Sequence, residues 1–208
     1  MGFDIETFEL IEEVPKNKDV LLISGLIETL DWLKFFNIKP PAIDYPYELT
    51  PWFSRGIMKT TLSELKNYVK GHRIFVKPYI EKQFSPLIIG TLDGLKELQH
   101  FPPQTEIWIS GIKHYRTETR FYISDNKILG GFKYKKCKDD DYILDSFVQN
   151  IVDAYKNSPI SYVIDLGVDI YGFISIVEIN DGFCVENYGL DDVKYAQFIL
   201  ARWDELFL

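Results

Sequence analysis

The sequence is poor in cysteine, with only Cys137 and Cys184 among its 208 residues. Two isolated cysteines cannot build the disulfide framework of a small secreted domain or the ligand pattern of a structural zinc site. No apolar stretch approaches the roughly 20 residues that a membrane-spanning helix requires. The N-terminal stretch MGFDIETFELIEEV also lacks the basic region and apolar run of a signal peptide. We therefore expect a reduced, cytoplasmic protein that does not contact membranes.

The sequence also lacks a surplus of positive charge. It contains 23 Lys and Arg residues against 31 Asp and Glu residues, which gives a formal net charge of −8. A protein of this sign repels the phosphate backbone of nucleic acids over any broad face, although a local basic pocket is compatible with it. We therefore expect no nucleic-acid partner.

The hydrophobic content of 46% is that of an ordinary globular protein with a sizeable core. Apolar spacing predicts a strand–helix unit, then a strand-rich middle, then a helix–hairpin–helix end, which indicates α+β lobes in one module. The charge run at residues 133–141 predicts a loop. The predicted strands cover residues 18–25, 73–78, 84–89, 106–110, 119–124, 128–134 and a hairpin within 162–181. The predicted helices cover residues 26–36, 61–69, 92–98, 145–156 and 191–207.

Carboxylates interrupt the predicted hairpin YVIDLGVDIYGFISIVEIND, where acids are unfavourable unless paired or bound to a metal. A turn centred between residues 171 and 172 places Asp165 directly opposite Glu178. Asn180 then shares the face of Glu178, whereas Asp181 lies on the other face. Two carboxylates that close repel each other unless a cation lies between them, and hard oxygen donors suit Mg²⁺.

A sheet with a solvated polar face is the simpler explanation of this alternation, and the hairpin alone favours it. Asp169, beside Ile170-Tyr171-Gly172, is more typical of a turn residue than of a metal ligand.

A magnesium site implies a phosphate-bearing substrate, and two cations are candidates for binding it. Lys77 ends the apolar strand RIFVKP and could reach inward as a point charge for phosphate, although a Lys-Pro strand end is usually surface. Arg120 in ETRFYI could hold a phosphate or a carboxylate bidentately. Pairing of Arg120 with Glu118 is an equally good interpretation of the spacing.

Together, these segments resemble the ATP-grasp superfamily in their chain order: a VKP strand, a hinge strand, a Glu on the next strand, and an acidic strand followed by E-x-N. The spacing of Asp165, Glu178 and Asn180 resembles the magnesium ligands of D-alanine–D-alanine ligases. A closer likeness is to a clade of small bacterial and phage ATP-grasp proteins. It rests on residues 43–65, IDYPYELTPWFSRGIMKTTLSEL, and residues 177–203, VEINDGFCVENYGLDDVKYAQFILARW.

The resemblance implies a role for each position. Lys77 would bind the α- and β-phosphates, and Glu118 would bind the ribose. Arg120, the implied catalytic residue, would lie near the γ-phosphate or the acceptor carboxylate. The implied hinge residues, which would meet adenine through backbone groups, are Ser110, Gly111, Ile112 and Lys113. The implied magnesium ligands are Asp165, Glu178 and Asn180.

The resemblance also implies a fold and an activity. The fold would be two α+β lobes (residues 71–112 and 113–208) with ATP bound between them, preceded by a reduced strand–helix segment (residues 1–70). The activity would be that of an ATP- and Mg²⁺-dependent ligase joining a carboxylate to an amine or thiol through an acyl phosphate. Its substrates would be small molecules or peptides, amino acids among them.

One departure from the family pattern supports an alternative function. The segment YIEKQFSP after the lysine strand contains no glycine, whereas ATP-grasp ligases usually carry a glycine-rich flap there. Lys82 and Ser85 are candidates to replace it. The absent glycines favour a nucleotide-binding module without turnover, whereas the Asp165, Glu178 and Asn180 set favours an enzyme. A structural domain without a ligand would require these residues to coincide by chance.

Overall fold

The computed structural model describes residues 4–69, 71–80, 82–135 and 141–208, and shows two separate four-stranded antiparallel sheets. The first contains β1 (Ile57–Thr61), β2 (Ile74–Pro78), β3 (Leu87–Ile89) and β4 (Glu106–Ser110), in the order β1–β4–β2–β3. The second contains β5 (Tyr115–Ser124), β6 (Lys127–Lys135), β7 (Ser161–Asp169) and β8 (Ile174–Asp181), in the order β6–β5–β7–β8. The predicted α+β architecture is confirmed.

The helices and short 3₁₀ segments cover the two sheets and the start of the chain. The helices are α1 (Leu26–Phe35), α2 (Leu62–Leu65), α3 (Asp145–Ala154) and α4 (Asp192–Leu206). The 3₁₀ segments are Ile11–Glu13, Tyr47–Trp52 and Asp93–Leu98. In the described part of the chain, no helix combines the length and apolarity needed to cross a membrane.

The second sheet is buried on both faces, which explains why every residue of β7 is buried. Strand alternation sends Ile164 and Leu166 into the core beneath α3, and Val163 towards Phe198 of α4. Asp165 therefore lies on the α4 face. Helix α4 begins at Asp191, whose carboxylate caps the helix by accepting hydrogen bonds from the next free backbone amides.

The first sheet has its own smaller core, in which Val76, Ile107 and Leu65 are buried together. The predicted helix at residues 61–69 is wrong in length, since α2 contains only four residues. Thr61 is its N-cap as predicted, but its side chain makes no cap bond, and the Glu64 carboxylate accepts instead from Thr60 Oγ1 at 2.6 Å. Strand β1 lies within the predicted N-terminal segment yet pairs with β4.

The predicted strand at residues 18–25 is wrong. These residues are all described, and none of them pairs with a strand of either sheet. Leu22 instead packs in an aromatic cluster with Trp32 of α1 and Trp203 of α4. An apolar run can thus be buried against helices without a sheet edge to join, which short-range periodicity does not distinguish.

Two further boundaries differ from the predictions. The predicted strand at residues 84–89 is confined to β3, and the predicted helix at residues 92–98 is a 3₁₀ segment. Residues 136–140 of the predicted charged loop lie outside the described residues.

Candidate active site

The β7–β8 hairpin places Asp165 directly opposite Glu178, as predicted. The chain reverses through residues 170–173, where Gly172 has φ +84° and its amide donates to Asp169 O at 3.0 Å. Asp169 acts as the turn residue that the sequence indicated, because its Oδ1 accepts from the amides of Tyr171 and Phe173.

A β-bulge in β8 lies beside this pair and was not predicted. The register shifts between Asp165 and Leu166, since Leu166 pairs with Ile176 while Asp165 pairs with Glu178. Val177 is therefore the extra residue, and Ile176 and Ile179 both enter the core although they are three positions apart. The bulge lets the core contacts on either side of it coexist with Glu178 on the face of Asp165.

Asp165 forms a buried bidentate ion pair with Arg120 on the neighbouring strand β5. The Nε–Oδ1 distance is 2.9 Å and the Nη2–Oδ2 distance is 2.8 Å. Burial raises the pKa of Asp165 to about 6 even though Arg120 opposes the shift, and the charge of Glu178 adds to it. The predicted direction is therefore right for one carboxylate, but burial rather than charge repulsion is its main cause.

Glu178 joins the two sheets through Lys77, the last lysine of β2. The Lys77 Nζ–Glu178 Oε2 distance is 2.9 Å, and Lys77 also forms an ion pair with the buried carboxylate of Asp44. Burial disfavours the charged Glu178, but the attraction of Lys77 and hydrogen bonds from Lys77 and Asn180 outweigh it and lower the pKa of Glu178. Lys77 is thus buried and directed inward, and the surface alternative for it is wrong.

Asn180 completes the convergence of the three predicted ligands. Its Nδ2 lies 3.3 Å from Asp165 Oδ2 and 3.2 Å from Glu178 Oε1. Across the described ranges, no three His, Cys, Asp or Glu side chains are grouped so that they could hold a metal. An oxygen site for a metal here therefore depends on the amide of Asn180 as its third donor.

Tyrosine rings surround the guanidinium of Arg120 on the other side. Its Cζ lies 4.8 Å from the ring centroid of Tyr188 and 5.7 Å from that of Tyr134, and these two rings stack at 5.0 Å. Glu118 does not pair with Arg120; its carboxylate accepts from Tyr134 Oη at 2.8 Å and from Lys135 Nζ at 2.7 Å. The alternative pairing of Arg120 with Glu118 is therefore wrong.

The predicted hinge coincides with the connection between the two sheets. β4 ends at Ser110 and β5 begins at Tyr115, so the residues between them span from one sheet to the other. Ser110 Oγ donates to Gly111 O at 3.0 Å, and Lys113 Nζ lies 3.1 Å from Asp169 Oδ2. Ile112 lies in the same connection.

A cavity of about 490 Å³ adjoins the carboxylate pair on the α4 face. Arg120 and Asn180 reach it from the second sheet, Lys82 reaches it from the segment after β2, and the start of α1 borders it. Its apolar and aromatic lining includes Ile23, Leu26, Phe183, Val185, Tyr188 and Tyr195.

Asp181 lies opposite Tyr162 and pairs with Arg202 of α4. Arg202 Nε and Nη2 are each 2.7 Å from the two carboxylate oxygens. Asp181 is therefore separate from the Asp165–Glu178 pair, as predicted, but it is a buried structural ion-pair partner and a poor neutral control for mutagenesis.

Sequence reasoning missed the roles of Asp44 and Arg55, which precede the first sheet. Asp44 contacts Lys77 through its carboxylate and accepts Ile179 N through its carbonyl oxygen at 3.1 Å. Arg55 donates to the carbonyl oxygens of Ile176 and Val177. Both lie in the segment of residues 43–65 that resembles the ATP-grasp clade, which was the only available signal.

The family model of an ATP-grasp domain, the second family of its clade, matches residues 52–198. The chain belongs to this ATP-grasp family. The match includes Lys77, Arg120, Asp165, Glu178 and Asn180, and excludes Asp44. No curated protein matches the chain in sequence.

Solved structures share the fold at low sequence identity. The ADP complex of the N5-carboxyaminoimidazole ribonucleotide synthetase PurK aligns with a TM-score of 0.55 at 9% identity, covering 74% of this chain and 48% of that one. N5-carboxyaminoimidazole synthetase from Staphylococcus aureus complexed with ADP gives 0.51 at 11%, covering 86% and 50%. The macrocyclase MdnC from Microcystis aeruginosa MRC, bound with precursor peptide MdnA, gives 0.50 at 16%, covering 74% and 57%. The chain thus spans about half the length of these proteins.

Proposed function

We propose that the protein is an ATP-dependent ligase that joins a carboxylate to an amine or thiol through an acyl phosphate. The observation that supports this most directly is the meeting of Lys77 from the first sheet with Glu178, Asp165 and Asn180 of the second. A cation and a set of oxygen donors converge where two lobes join, as phosphoryl transfer between bound substrates requires.

The nucleotide would lie between the two sheets. Lys77 would release Glu178 and bind the α- and β-phosphates, while backbone groups of Ser110, Gly111, Ile112 and Lys113 would meet the adenine. Glu118, already oriented by Tyr134 and Lys135, would accept from the ribose hydroxyls. The domain division at residues 70 and 112 remains a prediction, with β1 belonging to the first sheet.

The donor set fits Mg²⁺. Asp165 and Glu178 offer hard carboxylate oxygens on one face, and rotating the Asn180 amide by half a turn would replace Nδ2 with Oδ1 beside both of them. These three residues would hold the ion, which supplies charge neutralisation to the phosphates when bound. Each carboxylate at present has a cationic partner, so Lys77 and Arg120 would have to share or exchange their ion pairs.

The residues of the chain then act mainly by positioning and charge. Arg120, held by Asp165 and flanked by Tyr188, would stabilise the transferring phosphoryl group or orient the substrate carboxylate. No protein nucleophile is required, because the substrate carboxylate attacks the γ-phosphate and its acyl phosphate is then displaced by the amine or thiol. The adjoining cavity would receive a small-molecule or peptide substrate.

Nucleotide binding without turnover is the second candidate, and the glycine-free segment at residues 79–86 favours it. Incubation with ATP, Mg²⁺ and pools of carboxylates and amines, followed by detection of ADP, separates the two functions. Substrate-dependent ADP release supports the ligase. ATP binding by calorimetry without ADP release from any pool supports the binding module, and no ATP binding contradicts both.

A further inference from the structure

We propose that Arg55 is a positioning residue for the metal-binding carboxylate Glu178. It donates from Nη2 to Val177 O at 2.7 Å and from Nη1 to Ile176 O at 3.0 Å. These are the carbonyls of the bulge immediately before Glu178. The inference rests on the proposed function, since it assigns Arg55 to the same site.

The bulge explains why a guanidinium is needed there. An extra residue disrupts the β-ladder and leaves backbone groups without a partner strand, and such groups must be satisfied in a partly buried position. The planar fork of arginine can hold two neighbouring carbonyls in fixed directions, whereas the ammonium of lysine is a point charge. Arg55 thereby fixes the local backbone from which the Glu178 side chain leaves the strand.

Two further contacts hold Arg55 in place. Its Nη1 lies 2.9 Å from Tyr115 Oη, which is itself 3.0 Å from Ser175 Oγ, and its Cζ lies 5.9 Å from the ring centroid of Tyr45. Tyr45 also lies 5.7 Å from Lys77 Nζ, so one ring separates the two cations that flank Glu178. Arg55 therefore approaches Glu178 through the backbone, and Lys77 approaches it through the side chain.

The test is calorimetry of ATP binding with and without Mg²⁺ on Arg55→Lys and Arg55→Gln. We expect ATP affinity without Mg²⁺ to change little and the Mg²⁺-dependent gain to fall by about 10–100-fold, the usual cost of losing support around a metal ligand. Tyr115→Phe should keep most of the gain because it retains both carbonyl contacts. Ile151→Val, in the core beneath α3, controls for a general loss of stability. An unchanged gain in Arg55→Lys, or an equal loss with and without Mg²⁺, would overturn the inference.

Hydrogen–deuterium exchange judges the positioning independently of nucleotide binding. In Arg55→Lys the backbone of residues 175–179 should exchange faster, while the β5–β6 hairpin should not. Unchanged exchange in residues 175–179 overturns the role of Arg55. If the wild-type protein shows no Mg²⁺-dependent gain, the proposed metal site fails, and the exchange result still decides the role of Arg55 in the bulge.

Discussion

Glu178 and Asp165 lie opposite each other but have different partners, and this difference governs what each substitution does. Lys77 lowers the pKa of Glu178, whereas burial raises the pKa of Asp165 to about 6. Glu178 is half-buried and Asp165 is fully buried. Glu178 is therefore the better position for testing metal binding without disrupting the fold.

Glu178→Gln should reduce the Mg²⁺-dependent gain in ATP affinity much more than it reduces stability. The amide retains the shape of the side chain but removes the charge that would bind the ion, while Lys77 keeps Asp44 as a partner. Asp153→Asn on α3 is the matched control, since it removes one carboxylate charge at an exposed position. Calorimetry at several Mg²⁺ concentrations measures the effect. Equal Mg²⁺ dependence in the two variants would contradict the metal assignment.

Asp44 should give the apo protein a distinctive pH dependence of stability. Burial raises its pKa despite the attraction of Lys77, whose own pKa is raised by Glu178 and Asp44 against the effect of burial. The folded protein therefore takes up a proton at Asp44 at a higher pH than the unfolded chain does. As pH falls from neutral towards the ordinary Asp value of 3.8, this group should increase the free energy of unfolding.

Urea unfolding of the wild-type protein and of Asp44→Asn across this pH range measures that contribution. The variant cannot titrate at residue 44, so its stability relative to the wild type should fall as the pH is lowered. A constant difference between the two proteins would show that the pKa of Asp44 is not raised.

At the scale of elements, the β7–β8 hairpin was the most predictable part of the site. Period-two alternation and the turn around Gly172 are local properties, and they were sufficient to pair Asp165 with Glu178. The bulge at Val177 was not predictable in this way because it satisfies core packing on both sides of the hairpin. Asp44 and Arg55 were missed for a related reason, since they meet β8 across more than 100 residues of sequence.

The hairpin turn gives a clean test of local backbone strain. Gly172 has φ +84° and no atom within 4 Å of an added Cβ, so Gly172→Ala should cost only the left-handed backbone penalty of about 1–2 kcal/mol. Gly56→Ala is the matched control, because it also has open space but no positive φ, and it should leave stability nearly unchanged or slightly higher. Urea unfolding compares them. Equal stability of the two variants would show that the turn does not require glycine.

At the scale of the whole molecule, the two sheets are joined by the hinge connection and by one buried ionic cluster. Lys77 belongs to the first sheet, Glu178 to the second, and Asp44 to the segment that precedes both. One cation thus neutralises two carboxylates at the junction. The same lysine is proposed to bind phosphate, so nucleotide binding and the contact between the lobes compete for Lys77.

Lys77→Met should therefore affect stability and ATP binding together. Removing the lysine leaves the buried Asp44 and the half-buried Glu178 without their cation, and breaking such a pair costs about 3–5 kcal/mol in the free energy of unfolding. The double variant Lys77→Met/Asp44→Asn should recover part of that loss because no uncompensated buried charge remains at residue 44. ATP affinity should stay low in both, since neither variant has a cation for the phosphates.

Lys59→Met is the control for this series, because Lys59 forms an exposed ion pair with Glu106 at the edge of the same sheet. Its loss should change stability by less than about 1 kcal/mol. Urea unfolding gives the stability of the four proteins, and calorimetry gives their ATP affinity. Recovery of stability without recovery of ATP affinity in the double variant would separate the two roles of Lys77. Recovery of both would show that Lys77 supports the lobe junction and does not bind the nucleotide.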